Sequence, residues 1–148
     1  MERIRGIEVE LEQIPGGFLA WLLLPRVSKL SHWAVRDLEF TTEHGIPCGT
    51  YDAAAMRALL KRAPDYCIFG RFFRGAPTSD WNAICTYEDF LLGTCDFLCL
   101  CVDSYYFELY MKDEAEIHEV LYQLSSLSGA QVVLKTDETD SRYRMTID

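Results

Sequence analysis

The chain has no apolar run long enough to cross a membrane, and its second half is poor in positive charge. Its longest apolar stretch, Phe18 to Leu24, is far shorter than the ~20 residues a spanning helix needs. No basic segment leads into an apolar one near Met1, where Glu2, Arg3 and Arg5 alternate in sign. A secretory signal is therefore not expected, and the expected compartment is cytoplasmic. There is no Cys-x-x-Cys pair, and no histidine stands at zinc-finger spacing from a cysteine, which removes the common structural zinc sites. No Gly-x-Gly-x-x-Gly turn or phosphate loop is present, so nucleotide binding by those routes is excluded and no cofactor is expected.

Positive charge is scarce in one half only. Residues 75–148 hold 4 Lys and Arg against 14 Asp and Glu, whereas residues 1–74 hold 10 against 9. The net charge of −9 repels phosphate at long range, so nucleic acid is not an expected partner. The run Arg71-Phe72-Phe73-Arg74 has the basic and aromatic residues of a base-stacking strand, but it reads more simply as an ordinary strand with solvated arginines.

What is present suffices for a core. Apolar residues make up 49% of 148 positions, enough for one domain spanning 1–148 without disulfide or metal. Gly6 to Leu11 alternates apolar and acidic residues, the pattern of a strand with one wet face. Phe18 to Leu24 reads as a short helix stopped by Pro25, and Trp33 to Thr41 as a second strand. After a turn-rich loop from His44 to Gly49, Asp52 is placed to cap a helix running to Arg62. Tyr66 to Phe73 is a third strand. Thr86 and Asp89 form a capping-box pattern at the start of a third helix.

Strands Cys95–Val102 and Tyr105–Met111, joined by Asp103-Ser104, form a predicted hairpin. Asp113 opens the most regular helix, whose stripe is Ile117, Val120, Leu121, Leu124 and Leu127. Gly129 closes it. Val132–Thr136 and Tyr143–Ile147 are the last predicted strands. The order β-α-β-α-β-α-β-β-α-β-β with hairpins predicts an α+β sandwich: a largely antiparallel sheet with helices packed on it.

The six cysteines read as small core hydrophobes, with Cys95, Phe97, Cys99 and Cys101 expected on one strand face. The acidic turn Asp137, Glu138 and Asp140, with Asp103, lacks the residue order of a calcium loop, so no metal site is expected. His44 and Cys48 share a loop, but that spacing is no sign of a catalytic pair, and no catalytic residue is assigned.

The segments Arg5-Gly6-Ile7, Ile14-Pro15, Gly17-Phe18-Leu19, Thr86 to Phe90, Val102 to Tyr105 and Thr136 to Arg142 together resemble a family of small bacterial proteins known only as a domain of unknown function. The resemblance implies a bacterial, intracellular, single-domain protein. It brings no activity and no site residues.

Two functional expectations remain. The first is a non-enzymatic interaction module whose acidic C-terminal half binds a basic protein partner, an immunity-like neutraliser being one form. Tyr106, Glu108 and Tyr110 on one strand face, with Asp113, Glu114 and Glu119 on the following helix, are its candidate residues. The alternative is a small-molecule-binding protein or small enzyme with an aromatic pocket of Trp33, Phe72 and Trp81 and His44 as its polar group.

Overall fold

A computed structural model describes residues 3–40, 48–62, 67–140, 142 and 144–146, the side chains of 38–40 excepted. The chain runs β1 (Ile4–Leu11), α1 (Phe18–Leu23), β2 (His32–Phe40), β3 (Gly49–Asp52), α2 (Ala53–Lys61), β4 (Cys67–Gly75), α3 (Tyr87–Leu92), β5 (Phe97–Asp103), β6 (Tyr106–Met111), α4 (Glu114–Leu124) and β7 (Ala130–Thr136). Every described strand pair is antiparallel. The sheet order is β3-β2-β4-β5-β6-β1-β7, so the first strand lies between β6 and the last. This is the α+β architecture the sequence predicts.

The alternation of side chains divides the sheet into two chemically different faces. On one, Ile7, Val9, Phe107, Leu109, Phe97, Cys99, Phe72, Trp33 and Val35 meet the apolar sides of α1, α2 and α4. Phe18 packs on Phe107 with ring centroids 5.0 Å apart. The indole of Trp33, fully buried, donates to Ser31 Oγ at 3.0 Å. Asp52 accepts from the Ala55 amide at 2.8 Å and Asp113 from the Ala115 amide at 3.0 Å, so both predicted caps satisfy a donor that the first turn leaves open.

The second face is covered more thinly. The Trp81–Ala83 turn, α3 and Met145 close a smaller core over Phe73, Leu98, Leu100 and Tyr110. The capping box is present: Asp89 N donates to Thr86 Oγ1 and Thr86 N to Asp89 Oδ2. Beyond this patch, the β6-β1-β7 end of the face carries Tyr106, Glu108, Glu8, Glu10 and Lys135.

Four local readings change. Residues 49–52 form β3, a short edge strand, where the sequence places the end of a loop and a cap. Residues 144–146 make no named strand: Arg144 forms one isolated bridge with Thr86, and Met145 fills the second core. Cys95 leaves the face of Phe97, Cys99 and Cys101 for the opposite core, because the strand begins only at Phe97. Phe72 and Phe73 point to opposite faces, and their flanking arginines are ion-paired, Arg71 with Asp37 and Arg74 with Glu116 and Asp96. The predicted end of the strand at Tyr66 and the termini Tyr143 and Ile147 lie outside the described residues.

Candidate functional site

Glu8 in β1 stands directly opposite Glu108 in β6, a like-charge pairing that strands ordinarily avoid. It is bridged by one phenol. The Tyr106 hydroxyl contacts Glu8 Oε1 and lies 3.0 Å from Glu108 Oε1. Cations come from the far end of the chain. Lys135 Nζ sits 3.2 Å from both Glu108 Oε1 and Asp140 Oδ1, and Arg142 Nε pairs with Glu108 Oε2. Tyr110 donates to Asp140 Oδ2 at 3.0 Å, and the Arg142 amide donates to Asp140 Oδ1 at 3.1 Å. The side chains of Glu108, Lys135 and Asp140 are only 5%, 8% and 1% exposed. Charges buried to that degree persist only when paired and hydrogen-bonded.

Local structure places each of these groups. The Asp137–Thr139 turn folds back through mutual bonds between Thr136 and Thr139, which brings Asp140 and Arg142 over the sheet. Arg5 pins the turn: its Nε donates to Asp137 at 2.8 Å, and its guanidinium lies 4.0 Å from the Tyr87 ring centroid. Arg142 also donates to the Arg144 and Thr146 carbonyls, holding the final segment as a wall.

The result is an open cleft of about 430 Å³ with a floor of Glu8, Tyr106, Glu108 and Lys135 and a wall of Thr139, Asp140, Arg142 and Arg144. Its lining carries both signs of charge. Burial, the Glu8 contact and the Glu108 charge raise the Tyr106 pKa, while burial and the charges of Glu108 and Asp140 raise that of Tyr110. Both phenols therefore stay protonated and act as donors, not bases.

A pH dependence follows. A tyrosine whose folded pKa lies above its unfolded value of about 10 contributes stability that is complete below that value and is lost as pH climbs toward the folded one. Urea midpoints measured from neutral pH to strong alkali are expected to fall above about pH 10. Tyr110→Phe is expected to flatten that fall; an unchanged slope would remove the phenol from the account.

Of the residues singled out from sequence, Tyr106 and Glu108 meet in the cleft, and Tyr110 lies fully buried beneath it. Asp113, Glu114 and Glu119 are on α4, which covers the opposite face. There Asp113 caps the helix, Glu114 Oε1 is 3.8 Å from His118 Nε2, and Glu119 Oε2 is 3.7 Å from the Arg26 guanidinium. The six residues do not form one surface. The aromatic pocket is not assembled either: Trp33 and Phe72 belong to the helix-covered core, while Trp81 packs on Phe73 in the other. Trp33 and Trp81 border only a depression of about 150 Å³ beside β3. His44 lies outside the described residues.

Glu8, Lys135, Asp140 and Arg142 were not legible as site members. Glu8 reads as the wet face of an amphipathic strand and Asp140 as a soluble turn. Cys95 and Cys99 lie in the two cores, where burial pushes the Cys95 thiol up to about 12 and raises Cys99 as well. Among the described residues no group of three His, Cys, Asp or Glu is placed to hold a metal, and no helix is long and apolar enough to cross a membrane.

Residues 4–146 match the family model described as "Protein of unknown function (DUF2691)". The chain belongs to this family. No curated protein and no solved structure shows significant similarity to it. Within this DUF2691 chain, three segments that carry the family resemblance, at Arg5-Gly6, Thr86–Phe90 and Thr136–Arg142, converge around the cleft through the Arg5–Tyr87 stack and the Arg5–Asp137 and Arg142–Glu108 pairs.

Proposed function

We propose that the protein is a non-enzymatic binding module whose cleft receives a cationic side chain from a basic protein partner. The supporting observation is the Glu8–Tyr106–Glu108 cluster. Among the described residues the Tyr106 hydroxyl is the one side-chain donor on Glu8, and it is shared with Glu108, which Lys135 and Arg142 already pair. A guanidinium or ammonium entering above them therefore meets a Glu8 carboxylate with open acceptor positions. Glu10, exposed on the same face, extends the acidic strip. The net charge of −9 accelerates encounter with a basic surface, while the cleft sets specificity. Neutralising a basic toxin or nuclease is one form such binding takes.

Of the six residues expected from sequence, Tyr106 and Glu108 are kept in this docking site and the α4 acids Asp113, Glu114 and Glu119 are not. A flexible Gly/Arg peptide is titrated calorimetrically at low and high salt against the same peptide with citrulline in place of arginine. The arginine peptide is expected to bind in a salt-sensitive way and the citrulline peptide not to. Glu8→Gln is expected to weaken binding by about tenfold or more, the scale of one charge-assisted hydrogen bond, and Glu114→Lys to leave it unchanged. Equal binding of both peptides, or equal losses in the two variants, overturns the reading.

A second reading is favoured by Arg142 and Arg144 on the opposite wall. A small zwitterion would set its ammonium on Glu8 and its acid group toward these arginines, in a volume suited to small ligands. Free arginine binding more tightly than arginine amide would select it.

A further inference from the structure

The sheet ends on β7, and among the described residues no strand pairs with its outer edge. At seven residues, β7 is longer than β3, the four-residue strand at the opposite edge. Long edges are usually blunted by proline, by bulges or by charges. On β7 these devices gather at one end: Lys135 is turned inward onto Glu108 and Asp140 and the register with β1 shifts between Ile4 and Gly6, whereas Ala130–Leu134 carries neither charge nor proline. Val133, at the strand's centre, is 54% exposed. On the helix-covered side, Ala130, Val132 and Leu134 are partly buried against the main core. An added strand would find an apolar margin there to extend.

We propose that the outer edge of β7 accepts an extended segment of the basic partner as an eighth strand, with apolar and basic residues alternating along it. This rests on the cleft reading and adds how the partner docks. Main-chain bonds to the edge would supply affinity, and alternate side chains specificity. The apolar side chains would continue the row of Ala130, Val132 and Leu134. The basic ones would lie on the cleft face, beside Gln131 and Val133.

Glu8 stands opposite Val133, and Glu10 opposite Gln131, one strand further in. An added strand lies two strand spacings from β1, about 10 Å. An arginine of the added strand, leaning inward over the short Val133 side chain, would direct its guanidinium toward the Glu8 carboxylate that Tyr106 holds on the β6 side. A second copy of the chain is a poorer occupant, because edge-to-edge pairing would bring Glu8 and Glu10 toward their counterparts on another body of net charge −9.

The probe is a capped heptapeptide alternating valine and arginine, compared with a block isomer that has all its valines first. Amide hydrogen exchange is followed across the intact chain. The alternating peptide is expected to bind about tenfold or more tightly than its isomer, to slow exchange in Ala130–Thr136 and to lose affinity in Glu8→Gln. If the Gly/Arg peptide binds through Glu8 while the two isomers bind alike and β7 exchange is unaltered, the edge proposal fails and the cleft reading survives. If β7 is protected but Glu8→Gln changes nothing, the link between edge and cleft is overturned. Protection of β7 without peptide, together with a dimer in sedimentation, assigns the edge to a second copy and overturns the proposal.

Discussion

Replacing Glu108 with alanine is expected to lower stability by about 3–5 kcal/mol, the range for breaking a buried ion pair by removing one partner. For a chain of this size that corresponds to a fall in Tm of about 10–15 °C. The cause is what remains behind. Lys135 and Arg142 both direct charge at Glu108, and Tyr106 and Tyr110 both place hydroxyls on it. Without the carboxylate, two cations approach each other under cover, with Asp140 and the Tyr110 hydroxyl left to Lys135.

The companion test is the pair Glu108→Gln with Lys135→Met. Removing both ends of a buried pair costs much less than removing one. The double variant is therefore expected to be more stable than the two single losses summed, with a coupling energy of about 2 kcal/mol. Additive losses in urea denaturation would show that the network is a crowd of independent surface contacts.

Gly6→Ala is expected to be the second large effect, and it acts through shape alone. A Cβ at Gly6 would stand 1.8 Å from the Leu109 carbonyl oxygen and 2.9 Å from its carbon. Both atoms are backbone, so no side chain can turn aside, and β1 must separate from β6. Overpacking that a core cannot relax costs about 3 kcal/mol, and here it displaces Glu8, two residues along, from Tyr106 and Glu108. The variant is expected to lose both thermal stability and binding of the Gly/Arg peptide. Gly16→Ala is the control, since an added Cβ there meets nothing within 4 Å. Equal behaviour of the two variants would refute the close approach of β1 to β6.

The elements that could be read in advance are those whose signals are local. The Asp52, Thr86 and Asp113 caps, the stripe from Ile117 and the hairpin near Asp103-Ser104 each declare themselves within a few residues, and each is formed. The helix nevertheless ends at Leu124, short of the predicted Leu127, and the hairpin turns one residue later, at Ser104-Tyr105. The strand β3 carries no such signal: four residues on an edge, next to a turn-rich stretch, have neither length nor alternation. In β2 the alternation is interrupted where Asp37 takes a φ of 53° and the register with β4 shifts, so its pattern reads as irregular.

The site was half visible for the same reason. Tyr106, Glu108 and Tyr110 share a face by simple alternation, as expected. That Glu8 faces Glu108 depends on β1 lying beside β6, a pairing across about a hundred residues that no local pattern encodes. Lys135 and Arg142 likewise become site residues only because β7 lies on the other side of β1. The acids of α4 were grouped with them by proximity in the chain, and the sheet places them on opposite faces.

The position of β1 also has a temporal side. The strand β1 has its neighbours in β6 and β7, which are made about a hundred residues after it. Until they arrive, Ile7 and Val9 lack their strand neighbours and Glu8 lacks the Tyr106 hydroxyl. Such long-range closure is slow and leaves an apolar segment uncovered meanwhile. A chain cut before Lys135 would therefore lack part of the cleft's floor and its wall, and is expected not to bind the Gly/Arg peptide.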